Sequence, residues 1–310
     1  MNLYCAFYGN HVDVLQRMLD YDFICERDPS VKVIIVNDAH PKRQKVFFWD
    51  KELFIPQVNN REDLKQFGKI DVLINFASFR TAPTVIKEAM KTELFDWIFT
   101  VAEGIPERDT REIIALAKKY KIKLIGPSSV GWLFAGQLRV GNTWGSLDNL
   151  IKSKLHTKGS IGLISKSGGM MGEMCRVIAK ETDGIHTALQ IGWDRYPLTS
   201  FQDIALWYQD NPEIKMIVIL GEVGNEDENK VADLIASGRI TKPVIAWVVG
   251  TAAESFKTEV QFGHAWAKAN ADRETASFKN TYLRQAGAYV PESYDDFGTL
   301  IGQVFSKSAN

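Results

Sequence analysis

Short, nearly continuous apolar runs rich in β-branched residues recur along the chain. They lie at residues 3–8, 31–36, 72–76, 97–102 and 122–125, and again at 161–165, 187–191, 216–220 and 244–249. A strand with one wet face alternates apolar and polar positions. Continuous runs are the pattern of strands buried on both faces, as in parallel sheets. Between them lie segments with apolar residues at helical spacing, among them 107–120, 171–180 and 229–237. This strand–helix alternation predicts open, doubly wound α/β sheets. A polar stretch at 148–159 separates the two series, so two α/β domains are expected, 1–155 and 156–310.

Composition narrows the class. Of 310 residues 45% are apolar and 24% charged, an ordinary globular balance that argues against disorder. The 37 Lys and Arg against 38 Asp and Glu leave a net charge of -1, which offers no basic field, so no nucleic-acid partner is expected. No apolar stretch approaches the ~20 residues of a membrane span, and no membrane role is expected. The N-terminus enters its first apolar run without a basic leader, and the three cysteines form no Cys-x-x-Cys pair. Both features fit a reducing, cytoplasmic setting.

Open α/β sheets bind ligands outside the carboxyl ends of their strands, so the residues there are the first candidates. Ser165-Lys166-Ser167-Gly168-Gly169-Met170 is a tight turn opening a helix. Its backbone N–H groups and helix dipole suit a phosphate or carboxylate, and the alternative is a plain helix cap. Gly263-His264-Ala265 places a histidine between small residues, either an accessible nucleophile or a packed ring bonded to backbone. Glu103, at a strand end, can orient an imidazole or simply cap the next helix. Glu222, also at a strand end, can hold Mg²⁺ through phosphate oxygens. Glu226-Asp227-Glu228 reads as a solvated helix start, and His11, His40, His156 and His186 as solvated or local capping groups. Gly9-Asn10-His11 is a nucleotide-type turn without the three-glycine fingerprint.

Taken together, these segments resemble the α-subunit module of the succinyl-CoA synthetase superfamily, and within it the citryl-CoA synthetase portion of the ATP-citrate lyase family. The resemblance covers nearly the whole chain. It is carried by Met18-Leu19-Asp20-Tyr21-Asp22, Asp71-Val72-Leu73-Ile74-Asn75-Phe76-Ala77-Ser78, Glu103-Gly104-Ile105-Pro106, Gly141-Asn142-Thr143, Ser167-Gly168-Gly169-Met170 and Leu220-Gly221-Glu222. Asp194-Arg195-Tyr196-Pro197 and Val260-Gln261-Phe262-Gly263-His264-Ala265 point to the citrate branch.

The resemblance implies a Rossmann-like CoA-binding domain over 1–155 and a flavodoxin-like ligase domain over 156–310. It implies that His264 accepts the γ-phosphoryl group of ATP, that Glu103 holds the phosphohistidine, and that Ser167, Gly168 and Gly169 face the phosphate or citrate. CoA contacts fall on Gly9, Asn10, Phe76, Ala77, Ser78 and Arg284, the last within a matching segment at 283–293. Glu222 matches a Mg²⁺ position. Nothing in the chain resembles an ATP-grasp module, so a hetero-oligomer with an ATP-grasp β subunit or module is expected. The citrate-synthase-like lyase domain is also missing, so the chain is either the small subunit of a citryl-CoA synthetase or a piece of a longer lyase. A succinyl-CoA ligase α subunit is the second enzyme reading.

In that family's motifs glycine stands where this chain has Trp132, Trp144, Trp193 and Trp266. Glycine serves where backbone approaches a ligand or adopts positive φ, and an indole would crowd either. Three explanations stay open: a non-catalytic CoA-binding relative, local repacking, or UGA codons that specify glycine. Trp49, Trp97, Trp207 and Trp247 stand outside these motifs and read as ordinary aromatics.

Overall fold

The computed structural model describes residues 3–40, 42–141, 143–192, 196–255 and 268–308. The chain divides into two compact units, Met1–Asn142 with Asp194–Thr199, and Thr143–Trp193 with Ser200–Asn310.

The first unit is built from β1 (Cys5–Tyr8), α1 (Val12–Ile24), β2 (Val31–Ile35), β3 (Arg43–Phe48), β4 (Lys51–Val58), β5 (Val72–Asn75), α2 (Ala82–Lys91), β6 (Trp97–Thr100), α3 (Glu107–Tyr120) and β7 (Lys123–Ile125). Its sheet runs β3-β4-β2-β1-β5-β6-β7. All neighbours are parallel except β3 and β4, which form an antiparallel edge hairpin. The central strands β1, β2 and β5 are buried almost throughout, as continuous apolar runs require. The chain steps from β1 to β2 on one side and then returns to place β5 on the other. The β1/β5 boundary is therefore the topological switch point. A second hairpin, β8 (Gly131–Phe134) and β9 (Leu138–Gly141), follows, and the Tyr21 hydroxyl of α1 donates to the Phe134 carbonyl in it at 3.3 Å.

The second unit contains α4 (Leu147–Lys152), β10 (Ile161–Ser165), α5 (Met171–Glu181), β11 (Ile185–Gln190), α6 (Phe201–Asp210), β12 (Met216–Glu222), α7 (Asp227–Ala236), β13 (Val244–Val249), α8 (Ala276–Gln285) and α9 (Phe297–Ser308). Its four strands are parallel in the order β13-β12-β10-β11. The path leaves β10 toward β11 and then crosses back to β12, so the switch point lies between β10 and β12. All nine apolar runs thus become parallel strands. Helix α6 begins with a full capping box, Ser200 with Asp203.

Candidate functional site

Each switch point is flanked by the residues singled out from sequence. In the second unit, β10 runs into the turn Ser165–Met170. Ser165 Oγ donates to the Ser167 carbonyl at 2.9 Å and accepts the Ser167 N–H at 3.0 Å. The Met170 N–H donates to Ser167 Oγ at 3.3 Å, which caps the entry to α5. Among the described residues no acceptor takes the N–H of Gly168 or Gly169. Two free donors at the positive end of an eleven-residue helix suit an oxyanion. Beside them lies a cavity of about 480 Å³, lined by Gly168, Gly169, Glu173 and Arg176 on one side and by Trp144 and Lys152 on another.

Across the crevice, Glu222 ends β12 half-buried. Gly221 precedes it for a steric reason. A Cβ at Gly221 would sit 2.7 Å from Glu228 Oε1 and 2.8 Å from its Cγ. Glu228 is therefore not at the solvated helix start that its acidic run suggests. It is fully buried, and its Oε1 accepts the Glu222 N–H at 3.1 Å.

The carboxylate of Glu228 is held between two buried lysines that the sequence reading passed over. Lys279 Nζ donates to it at 2.7 Å, and also to the carbonyls of Glu222 at 2.8 Å and Gly224 at 2.6 Å. Lys166 Nζ stands 3.2 Å from Glu228, 3.4 Å from Asp227 and 2.6 Å from Asn225 Oδ1. Burial by itself would push the Glu228 carboxyl up, but the two ammonium groups outweigh it and hold the pKa at about 2. Burial lowers Lys279 against the pull of Glu228. The network ties the turn after β10 to the loop after β12.

In the first unit Gly9, Asn10, Phe76, Ala77 and Ser78 converge at the β1/β5 switch point. The Phe76 N–H donates to the Tyr8 carbonyl at 3.0 Å, and Ala77 N–H donates to the buried Asn75 Oδ1 at 3.0 Å. His11 is exposed at the N-cap position of α1, and its ring lies 4.9 Å from that of Phe76 at the edge of this crevice. Gly9 has φ +115°, and a Cβ there would meet His11 at 3.3 Å and Phe76 at 3.4 Å. Gly9→Ala is expected to cost about 1–3 kcal/mol in urea unfolding, and a cost near zero would deny the strain.

Glu103 is exposed just beyond β6, one strand over from β5, ahead of the α3 start at Glu107. Arg284 lies on α8 in the second unit, where its guanidinium donates to the carbonyls of Val290 at 3.4 Å and Pro291 at 3.2 Å. His264 lies outside the described residues, as do Trp193 and Trp266. His186 is buried rather than solvated, with Nδ1 2.8 Å from Thr187 Oγ1, and burial lowers its pKa.

Residues 164–289 match the family profile described as CoA-ligase. The chain carries a CoA-ligase domain. Over 98% of its length the chain is 45% identical to the probable ATP-citrate synthase subunit 1 of Neurospora crassa, of which it covers 46%. Two solved structures superpose with a TM-score of 0.94 over 99% of the chain and 50% of theirs. One is the ATP citrate lyase of Methanosaeta concilii in complex with (3S)-citryl-CoA, at 42% identity. The other is that of Methanothrix soehngenii in complex with citrate and coenzyme A, at 43% identity. The chain is thus a homologue of the ATP-citrate synthases and spans about half the length of these relatives.

Ser167, Gly168, Gly169, Glu222, His264 and Arg284 all fall within the CoA-ligase domain, as do Lys166, Glu228 and Lys279. Among the described residues no group of three or more His, Cys, Asp or Glu side chains could hold a metal by itself. Glu222 brings one carboxylate, and a Mg²⁺ beside it would take its other oxygens from phosphate and water, as Mg²⁺ commonly does. Among the described residues no helix is long and apolar enough to cross a membrane.

Proposed function

We propose that this chain is the CoA-binding and phosphoryl-relay part of an ATP-dependent ligase that makes citryl-CoA from citrate and CoA. The reading is carried by the match over 99% of the chain to structures that hold citryl-CoA, or citrate with coenzyme A. CoA is assigned to the β1/β5 crevice, with Gly9, Asn10, Phe76, Ala77 and Ser78, and to Arg284.

An imidazole nitrogen of His264 attacks the γ-phosphorus of ATP supplied by an ATP-grasp partner, and ADP leaves. Glu103 orients the imidazole and offsets the charge of its phosphorylated form. A citrate carboxylate oxygen then takes the phosphoryl group from His264, giving an acyl phosphate. The Gly168 and Gly169 N–H groups and the α5 dipole balance the charge on the transferring phosphate. The CoA thiolate attacks the acyl carbon, the C–O bond to phosphate breaks, and citryl-CoA forms. Phosphate is a far better leaving group than the oxide an unactivated carboxylate would have to expel. Mg²⁺, held by Glu222 and phosphate oxygens, supplies charge neutralisation when bound.

The chain, incubated with an ATP-grasp partner, Mg²⁺ and γ-labelled ATP, is expected to take up acid-labile phosphate that citrate plus CoA discharge. His264→Asn should reduce that label to background. Label persisting on the variant would overturn the relay, and discharge by succinate in preference to citrate would overturn the substrate assignment.

A further inference from the structure

The backbone at position 144 is one that residues with side chains avoid. Trp144 is buried, with φ +95°. Seven other described non-glycine residues have positive φ, and all lie between 45° and 59°, the narrow left-handed well that side chains tolerate. Trp144 lies outside that well, among glycines such as Gly141 at +92°, Gly126 at +104° and Gly9 at +115°. The next residue, Gly145, has φ +72°, and Gly141 lies three residues before Trp144. Trp49 shows the contrast, with φ 59° and 61% exposure at the turn between β3 and β4. A bulky residue held well beyond the left-handed well is strained, and glycine removes the strain because it has no Cβ.

We infer that residue 144 of the natural polypeptide is glycine, its codon a UGA that the host reads as glycine rather than as tryptophan. The consequence for the site follows from the cavity of about 480 Å³ beside Gly168 and Gly169, which Trp144 lines. Without the indole that space deepens next to the two free N–H groups, where the proposed function needs room for a carboxylate and a phosphoryl group. This last step rests on that function, whereas the identity of the residue does not. Trp132 does not carry the same mark. It sits in β8 with ring centroids 4.7 Å from Phe134 and 5.0 Å from Trp97, and its buried indole N–H has no acceptor among the described residues.

Peptide sequencing by mass spectrometry of the protein isolated from its own host decides the matter. Cleavage after Arg139 and Lys152 yields a peptide, 140–152, that is expected to carry glycine at its fifth position. Tryptophan there overturns the inference, whatever the activity proves to be. The backbone premise has its own check in chain expressed with a standard code. Trp144→Gly should melt above Trp144→Ala, the reverse of the order expected at a position with negative φ. An alanine variant that melts higher would overturn the premise.

Discussion

Glu228→Gln is expected to lower the stability of the second unit by about 3–5 kcal/mol, read as a fall in the urea midpoint at neutral pH. The substitution preserves shape and leaves Lys166 and Lys279 buried with no full charge between them. Lys279 is fully buried, and its three donors are committed to Glu228 and to the Glu222 and Gly224 carbonyls. It cannot swing into water without releasing the end of β12. Adding Lys279→Met to Glu228→Gln should recover part of the loss, because the buried charges then come closer to balance.

The pH dependence carries the sign of a depressed carboxyl. The folded value of about 2 lies below the ordinary 4.5, so the stabilisation is complete above the ordinary value and disappears as pH falls through the folded one. About 2 kcal/mol should be lost between pH 6 and pH 3, and the Gln variant should lack that slope. A cost under about 1 kcal/mol at neutral pH would mean that water reaches the lysines and the network does not hold the two loops.

The parallel strands were legible because burial on both faces leaves a continuous apolar signature. The β3–β4 hairpin was not, since Arg43–Phe48 and Lys51–Val58 carry charges, are largely exposed and show neither a continuous apolar run nor a regular alternation. The β8–β9 hairpin escaped because four-residue strands offer too few positions for a period to show. At the site, the turn at Ser167–Gly169 and the carboxylate of Glu222 could be found, because strand ends are where such folds present ligand groups.

Lys166, Glu228 and Lys279 could not be found that way. An acidic run such as Glu226-Asp227-Glu228 looks the same in solvent as beneath a loop. What buries its last member is partners 62 and 51 residues away. The signal that could have hinted at it is Gly221, a glycine at the end of a strand with no turn to make. Its missing side chain leaves the space that the Glu228 carboxylate fills.

The first unit contains a buried carboxylate of the opposite character, and Asp22→Asn should expose the difference. Asp22 accepts the Ser30 N–H and hydroxyl at 2.7 Å each, but its other oxygen is 3.7 Å from Arg27 Nε. It also sits in the last turn of α1, where the helix dipole disfavours negative charge. One distant guanidinium does not offset burial, which pushes the Asp22 carboxyl from 3.8 up to about 7. Glu228 has two ammonium groups in close contact and moves the other way.

For Asp22 the folded value is raised, so its contribution to stability is complete below the unfolded value and is lost as pH rises through the folded one. Between pH 5 and pH 8 the wild-type chain should lose roughly 2–3 kcal/mol from this group alone. Asparagine keeps the acceptor for Ser30 and does not titrate. The stability difference between Asp22→Asn and wild type, from urea unfolding at both pH values, should therefore shift toward the variant by that amount. A difference that stays constant between pH 5 and pH 8 would mean that Asp22 is ionised throughout, with Arg27 close enough to hold it so.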